Sequence, residues 1–186
     1  VQGAVLILTV ERRSSELFKY LWGDKFVNVW GPKHFQMLVD VAAQNNRQDF
    51  LKDILNESCG LNLFLTMKDQ SKLAFVKDVL AKYDSTPEVA RDALAQKHYA
   101  PYLLLALIER DQFRRMTDYS YYDRCLALVS QHDLEEMSKN PANEEQFMNF
   151  LRYTTLLNQD DPKRVQGQKL VDKVYEIEKF KAFKNQ

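Results

Sequence analysis

Residues 17–22 read LFKYLW, residues 50–55 read FLKDIL and residues 75–80 read FVKDVL; each block is two apolar residues, a lysine, a variable position and two more apolar residues. Lys19 and Lys52 stand 33 residues apart, and the match extends upstream of the blocks. Val5, Leu6, Leu8 and Val10 fall opposite Leu38, Val39, Val41 and Ala43, while Glu11 with Gln44 and Glu16 with Asp49 keep polar register. Such spacing puts one apolar stripe on each of two short helices with a polar break between them, so the repeating unit is a helical hairpin.

Written out, the first copy is A-V-L-I-L-T-V, E-R-R-S-S, E-L-F-K-Y-L-W from Ala4 to Trp22, and the second is M-L-V-D-V-A-A, Q-N-N-R-Q, D-F-L-K-D-I-L from Met37 to Leu55. Period and register resemble the ankyrin repeat, whose unit runs T-P-L-H-L-A-A, a turn, then a helix ending V-V-K-x-L-L. The resemblance is divergent and covers residues 1–82. Ala4–Ile7 and Met37–Asp40 replace the T-P-L-H signature, and Arg13 and Asn46 replace the turn glycine. Asn accepts a left-handed backbone more readily than Arg does. A third copy, Asn62–Leu80, follows after only 25 residues, which leaves no room for a long connecting finger and implies direct helix-to-helix packing.

Beyond Leu80 the pattern stays helical without the period. Ser85-Thr86-Pro87-Glu88 opens a helix expected to reach Lys97, with Pro at the first helical position and an acid near the positive end of the helix dipole. Pro101 opens Tyr102–Arg110, whose Leu103–Ile108 core is apolar on all sides and therefore buried. Apolar stripes follow on 121–131 and 143–157, separated by Pro141. Asp160-Asp161-Pro162 caps a last helix expected to run to Phe183, with Val165, Leu170, Val174, Ile177, Phe180 and Phe183 on its stripe. That helix is placed to cover the open end of an array. The expected fold is all-α: stacked helical hairpins of ankyrin-like or α-solenoid type over 1–82, continuous with further hairpins and a C-terminal capping helix over 83–186.

Composition agrees. With 45% apolar residues the chain can bury a core, and five Gly with five Pro are too few for the turns of a sandwich or barrel. The 26 basic and 26 acidic residues cancel, leaving no overall field to gather nucleic acid or an acidic membrane. Val1–Val10 is apolar but half the length of a membrane span, which needs roughly 20 residues. It reads as a core element of a longer protein.

Motifs for chemistry are sparse. There is no phosphate-binding glycine loop, H-E-x-x-H, G-x-S-x-G or EF-hand pattern, so no cofactor and no metal are expected. Cys59 and Cys125 lack C-x-x-C or Cys/His spacing and read as reduced thiols, which places the chain in the cytoplasm. Cys125, His132 and Asp133 are the parts of a nucleophilic triad, but seven residues of helix separate thiol and imidazole by roughly 10 Å. Cys125 is therefore read as a core thiol and His132 as a helix-end residue, and no enzyme is expected. His98, at a helix junction, is read as bonding a free carbonyl.

Candidate partner contacts fall in two places. Phe26, Val29, Trp30 and His34 lie in or beside the connector between the first two copies, where a finger would project aromatic anchors. Tyr119, Tyr121 and Tyr122 sit beside Arg114 and Arg115, yet Asp111, Asp118 and Asp123 interleave with them and argue against a phosphate-binding surface. Helix packing with hydroxyls at the rim is the plainer reading of the tyrosines. By resemblance, the expected activity is protein–protein interaction or scaffolding, as in the cytosolic arm of an ion channel, with another protein as partner, no nucleic acid and no direct membrane insertion. A purely structural α-solenoid segment of a large assembly is the alternative, and a thiol-dependent enzyme the third class.

Overall fold

The computed structural model describes residues 2–184; Val1, the Gln2 and Phe183 side chains and residues 185–186 lie outside the description, and with them the ends of the opening and closing apolar stripes. Among the described residues there are thirteen α-helices and two 3-10 turns and no strand. Two compact units divide between Leu94 and Ala95.

In the first unit, α1 (Gln2–Glu11) and α2 (Ser15–Leu21) precede α3 (Pro32–Gln44) and α4 (Gln48–Asn56). The two helix pairs close with the same hydrogen bonds, 33 residues apart. The Ser14 N–H reaches the Thr9 carbonyl at 2.8 Å and the Arg13 N–H reaches Val10 at 3.3 Å; Arg47 reaches Ala42 at 2.7 Å and Asn46 reaches Ala43 at 3.4 Å. This 6→1, 5→2 pairing requires a left-handed residue in the middle. Arg13 at φ 58° and Asn46 at φ 54° supply it, and they are the positions where the aligned unit wants glycine. α1 lies against α2 and α3, and α3 against α4.

Three further helices complete the unit: α5 (Ser58–Thr66), α6 (Asp69–Lys82) and α7 (Pro87–Leu94). Only Met67 and Lys68 join α5 to α6. α3 also contacts α5 and α6, and α7 packs on α4 and α6, so the segment after residue 82 is part of this core. Fully buried Trp22, Phe35 and Phe64 anchor it together with Phe75; the Phe35 and Phe75 rings lie 4.5 Å apart and Trp22 sits 5.9 Å from Phe35. Burying side chains of this size contributes about 1.5–3 kcal/mol each.

The second unit contains α8 (Ala100–Leu107), α9 (Arg110–Arg115), α10 (Ser120–Leu128), α11 (Gln131–Ser138), α12 (Pro141–Thr155) and α13 (Pro162–Tyr175). Three of the helix starts have a side-chain cap. Ser130 and Asp133 exchange side-chain and backbone hydrogen bonds in a capping box at the start of α11, while Asn140 and Asp161 cap α12 and α13 ahead of prolines at the first helical position. α8 is buried from Leu103 to its last residue, and Ile108 after it is buried too, as an apolar run on all sides demands. Phe113 is the hub: the rings of Tyr153, Phe150, Tyr122 and Tyr119 lie 5.2–5.8 Å away, and buried Gly167 brings α13 against it.

Four expected spans change. α8 runs Ala100–Leu107 rather than Tyr102–Arg110, and Arg110 begins α9. α7 ends at Leu94 rather than Lys97. The span 121–131 divides because Val129 is extended and Ser130 starts a new helix. The last helix stops at Tyr175; extended Ile177 then leads into a 3-10 turn, Glu178–Phe183, which lets both Ile177 and Phe180 be buried, the latter 6.3 Å from the Phe147 ring.

Candidate functional site

Leu38 and Phe50 show what one hairpin offers the other. Leu38, 1% exposed, shares a small crevice with Leu6 and Ile7 of α1, and Phe50, 2% exposed, meets the Phe18 ring edge-on at 5.4 Å. Counting back 33 residues gives Val5 and Leu17, which are 48% and 45% exposed. Leu8 and Tyr20 extend this apolar face at 44% and 55%. Of the two apolar residues that open the first block, Phe18 is fully buried and Leu17 faces solvent.

The connector between the copies serves mainly to close α2. Its last carbonyls need donors from outside the helix. The Trp30 indole N–H reaches the Leu21 carbonyl at 2.6 Å, the Cys59 N–H reaches Trp22 at 3.3 Å, and the Cys59 thiol donates to Gly23 at 3.3 Å. Trp22 itself donates to the Ile54 carbonyl of α4 at 2.8 Å. Trp30 is therefore a buried structural donor rather than an exposed anchor. His34 is half-buried, its Nδ1 accepting the Gly31 N–H at 3.0 Å and its ring meeting Trp30 at 5.1 Å. Phe26 is half-buried against Tyr20 at 5.5 Å, and Val29 is 48% exposed. No long finger forms; a 3-10 turn, Asp24–Phe26, fills the connector.

The tyrosines lie inside the second unit. Tyr119, Tyr121 and Tyr122 are buried, and the Tyr122 hydroxyl donates to the Leu107 carbonyl at 2.7 Å. Their rings pack inside the unit.

Cys125 is buried on α10, while His132 and Asp133 stand in the first turn of α11. Burial pushes the Cys125 thiol up to about 12, with Arg124 acting weakly against it. Burial, with Asp24 and Glu57 adding to it, pushes Cys59 up to about 11. A thiolate is the reactive form, and burial disfavours it at both sulfurs. The Asp133 carboxylate accepts the Ser130 N–H at 3.0 Å, and His132 is exposed in the first turn of α11. His98, expected to bond a free carbonyl, is exposed and makes no hydrogen bond among the described residues.

Among the described residues, no group of three or more His, Cys, Asp or Glu side chains is arranged to hold a metal, and no helix is long and apolar enough to cross a membrane. No family model, curated protein or solved structure matches this chain.

Proposed function

We propose that this chain is a protein-recognition or scaffolding module built from divergent ankyrin-like hairpins, whose outer α1–α2 face receives a further helical hairpin. One observation carries the reading: Val5 and Leu17 are exposed at the register positions where Leu38 and Phe50 are buried. The second hairpin's use of those positions gives the chemistry of the occupant. Leu38 meets Leu6 and Ile7, and Phe50 meets Phe18, so the outer face suits a hairpin that offers aliphatic and aromatic side chains at the matching places. Repeat arrays gain stability by such neighbour interfaces, and an apolar end face invites either a cap or a partner.

The test uses a Val5→Glu/Leu17→Glu double variant of the full chain. Both side chains are near half exposed, so thermal unfolding should stay close to wild type. Immobilised wild type should retain a reproducible set of proteins from a cell extract, and the variant should lose them. Equal retention by both chains would sink the reading. The alternative, a structural α-solenoid segment of a large assembly, predicts that the isolated wild-type chain precipitates and that the double variant is more soluble. An enzyme using Cys125 would show fast, selective alkylation of that thiol at pH 7; its burial leads us to expect slow labelling that accelerates only at alkaline pH.

A further inference from the structure

Between α12 and α13 lies an open cleft of about 650 Å³. Met148, Leu151 and Val171 form its apolar part, and Arg152, Arg164 and Lys184 bring three positive charges to it. Among the described residues, no acidic side chain lines it. The residues recur at helical spacing, with Met148, Leu151, Arg152 and Thr155 on one wall and Arg164, Gln168, Val171 and Tyr175 on the other, so each helix offers a single face.

What distinguishes these cations is their partners. Arg164 donates to the Leu157 carbonyl at 2.7 Å and Arg152 to the Asn149 side-chain oxygen at 3.3 Å, both neutral acceptors. Among the described residues neither arginine nor Lys184 has a carboxylate within ion-pair distance. Other lysines of the same stretch are engaged: Lys169 with Asp123, Lys179 with Glu144 and Lys181 with Glu178. Among the described residues, a chain with no net charge thus keeps three cations without carboxylate partners at one groove of mixed polar and apolar lining.

We propose that the α12–α13 cleft is a docking groove for an acidic amphipathic helix of a partner protein. The proposal rests on the recognition reading above and adds a second site to it. An amphipathic helix lays its apolar side chains into a groove of this kind, here against Met148, Leu151 and Val171. Its carboxylates then meet Arg152 and Lys184 at the exposed rim and Arg164 deeper in, with Arg164 already held in place by Leu157. Complementary charge sets orientation and on-rate, so the association weakens as salt rises.

The probe is a synthetic helical peptide of Glu and Leu at helical spacing, titrated into the ¹⁵N-labelled full chain and followed by NMR. The expected result is saturable shifts centred on Thr155, Arg164 and Gln168, with affinity reduced about ten-fold or more by Arg152→Glu/Lys184→Glu. Both substituted side chains are exposed, and unchanged signals elsewhere verify the fold. The proposal is overturned if the peptide does not bind, if its Lys-for-Glu counterpart binds equally well, or if the double variant binds as the wild type does. Matching saturable shifts from inorganic phosphate at equal ionic strength would overturn it in favour of a small-anion site. Because Arg152 and Lys184 lie on other elements than Val5 and Leu17, failure here with partner loss in the Val5→Glu/Leu17→Glu variant removes the groove alone; retention by that variant removes the recognition reading.

Discussion

The first hairpin and the second are built alike and buried differently. Both close on a left-handed residue with matching hydrogen bonds, yet Val5 and Leu17 face solvent where Leu38 and Phe50 are covered. Hairpin geometry is therefore a local property, set by apolar spacing and the turn. Burial of a given stripe is a property of the neighbour. Substitutions at paired positions separate the two contributions.

The largest contrast is expected between Phe50→Ala and Leu17→Ala. Phe50 is 2% exposed and lies against Phe18, so truncation should cost about 3–5 kcal/mol. Leu17 is 45% exposed and should cost about 0.5 kcal/mol or less. Urea midpoints of the two variants measure the difference, and equal losses would mean that Leu17 is covered in solution.

Gly60→Ala comes next, because it strikes the joint between the hairpins rather than either one. A Cβ on Gly60 would collide with the Ile54 carbonyl oxygen and stand 3.0 Å from the Trp22 indole nitrogen, the two atoms that bond each other. The substitution must displace that bond and should cost about 1–3 kcal/mol. Loss of the native tryptophan emission envelope, followed alongside urea unfolding, would register it; wild-type stability would contradict the tight approach.

Those two expectations mark what could and could not be read from sequence. The all-helical class followed from apolar periodicity and scarce glycine, and Pro87, Pro141 and Pro162 start α7, α12 and α13. The α11 start was also legible, since Ser130 and Asp133 have capping-box spacing, but the Tyr121–Gln131 stripe ran over it. Whether Leu17 or Phe18 points inward was not legible, because two adjacent apolar residues satisfy the same helical stripe until a neighbour selects one. Trp30 looked like an anchor since its use as an indole donor depends on where the Leu21 carbonyl ends up. The α12–α13 cleft was hidden for a related reason. Charge balance over the whole chain is silent about which cations lack a carboxylate.

A smaller effect, of opposite sign, tests the turns. Arg13 bears a Cβ in the left-handed region, where an L-residue pays about 1–2 kcal/mol that glycine escapes. Part of this gain is offset by the freedom glycine adds to the unfolded chain. Arg13→Gly should therefore stabilise by about 1 kcal/mol. Asn46→Gly should give less, since Asn tolerates this backbone and its φ is 54°. Differential scanning calorimetry decides it, and a fall in Tm for Arg13→Gly would show that the arginine side chain contributes something the turn geometry does not.

The finest distinction between the hairpins is at Ile7 and Asp40, which share a register position. Ile7 is half-buried and apolar; Asp40 ties α3 to α6 through Lys82, which also bonds Asp78 at 3.3 Å, while Gln36 donates to Asp78 at 2.7 Å. Burial works against the Lys82 ammonium, but hydrogen bonds to Asp40 and Asp78 outweigh it and its pKa is raised. A raised folded-state value means that this contribution is complete at neutral pH, below the unfolded lysine value, and is lost as pH climbs through the folded one. With its carboxylates partly solvated, the network should be worth about 1 kcal/mol or less. Lys82→Met should lower the urea midpoint at pH 7 by that amount, and the gap from wild type should narrow only above the ordinary lysine range. A gap that stays constant to alkaline pH would mean that the lysine's charge contributes nothing, and that α3 is held to α6 by packing and the Gln36–Asp78 hydrogen bond.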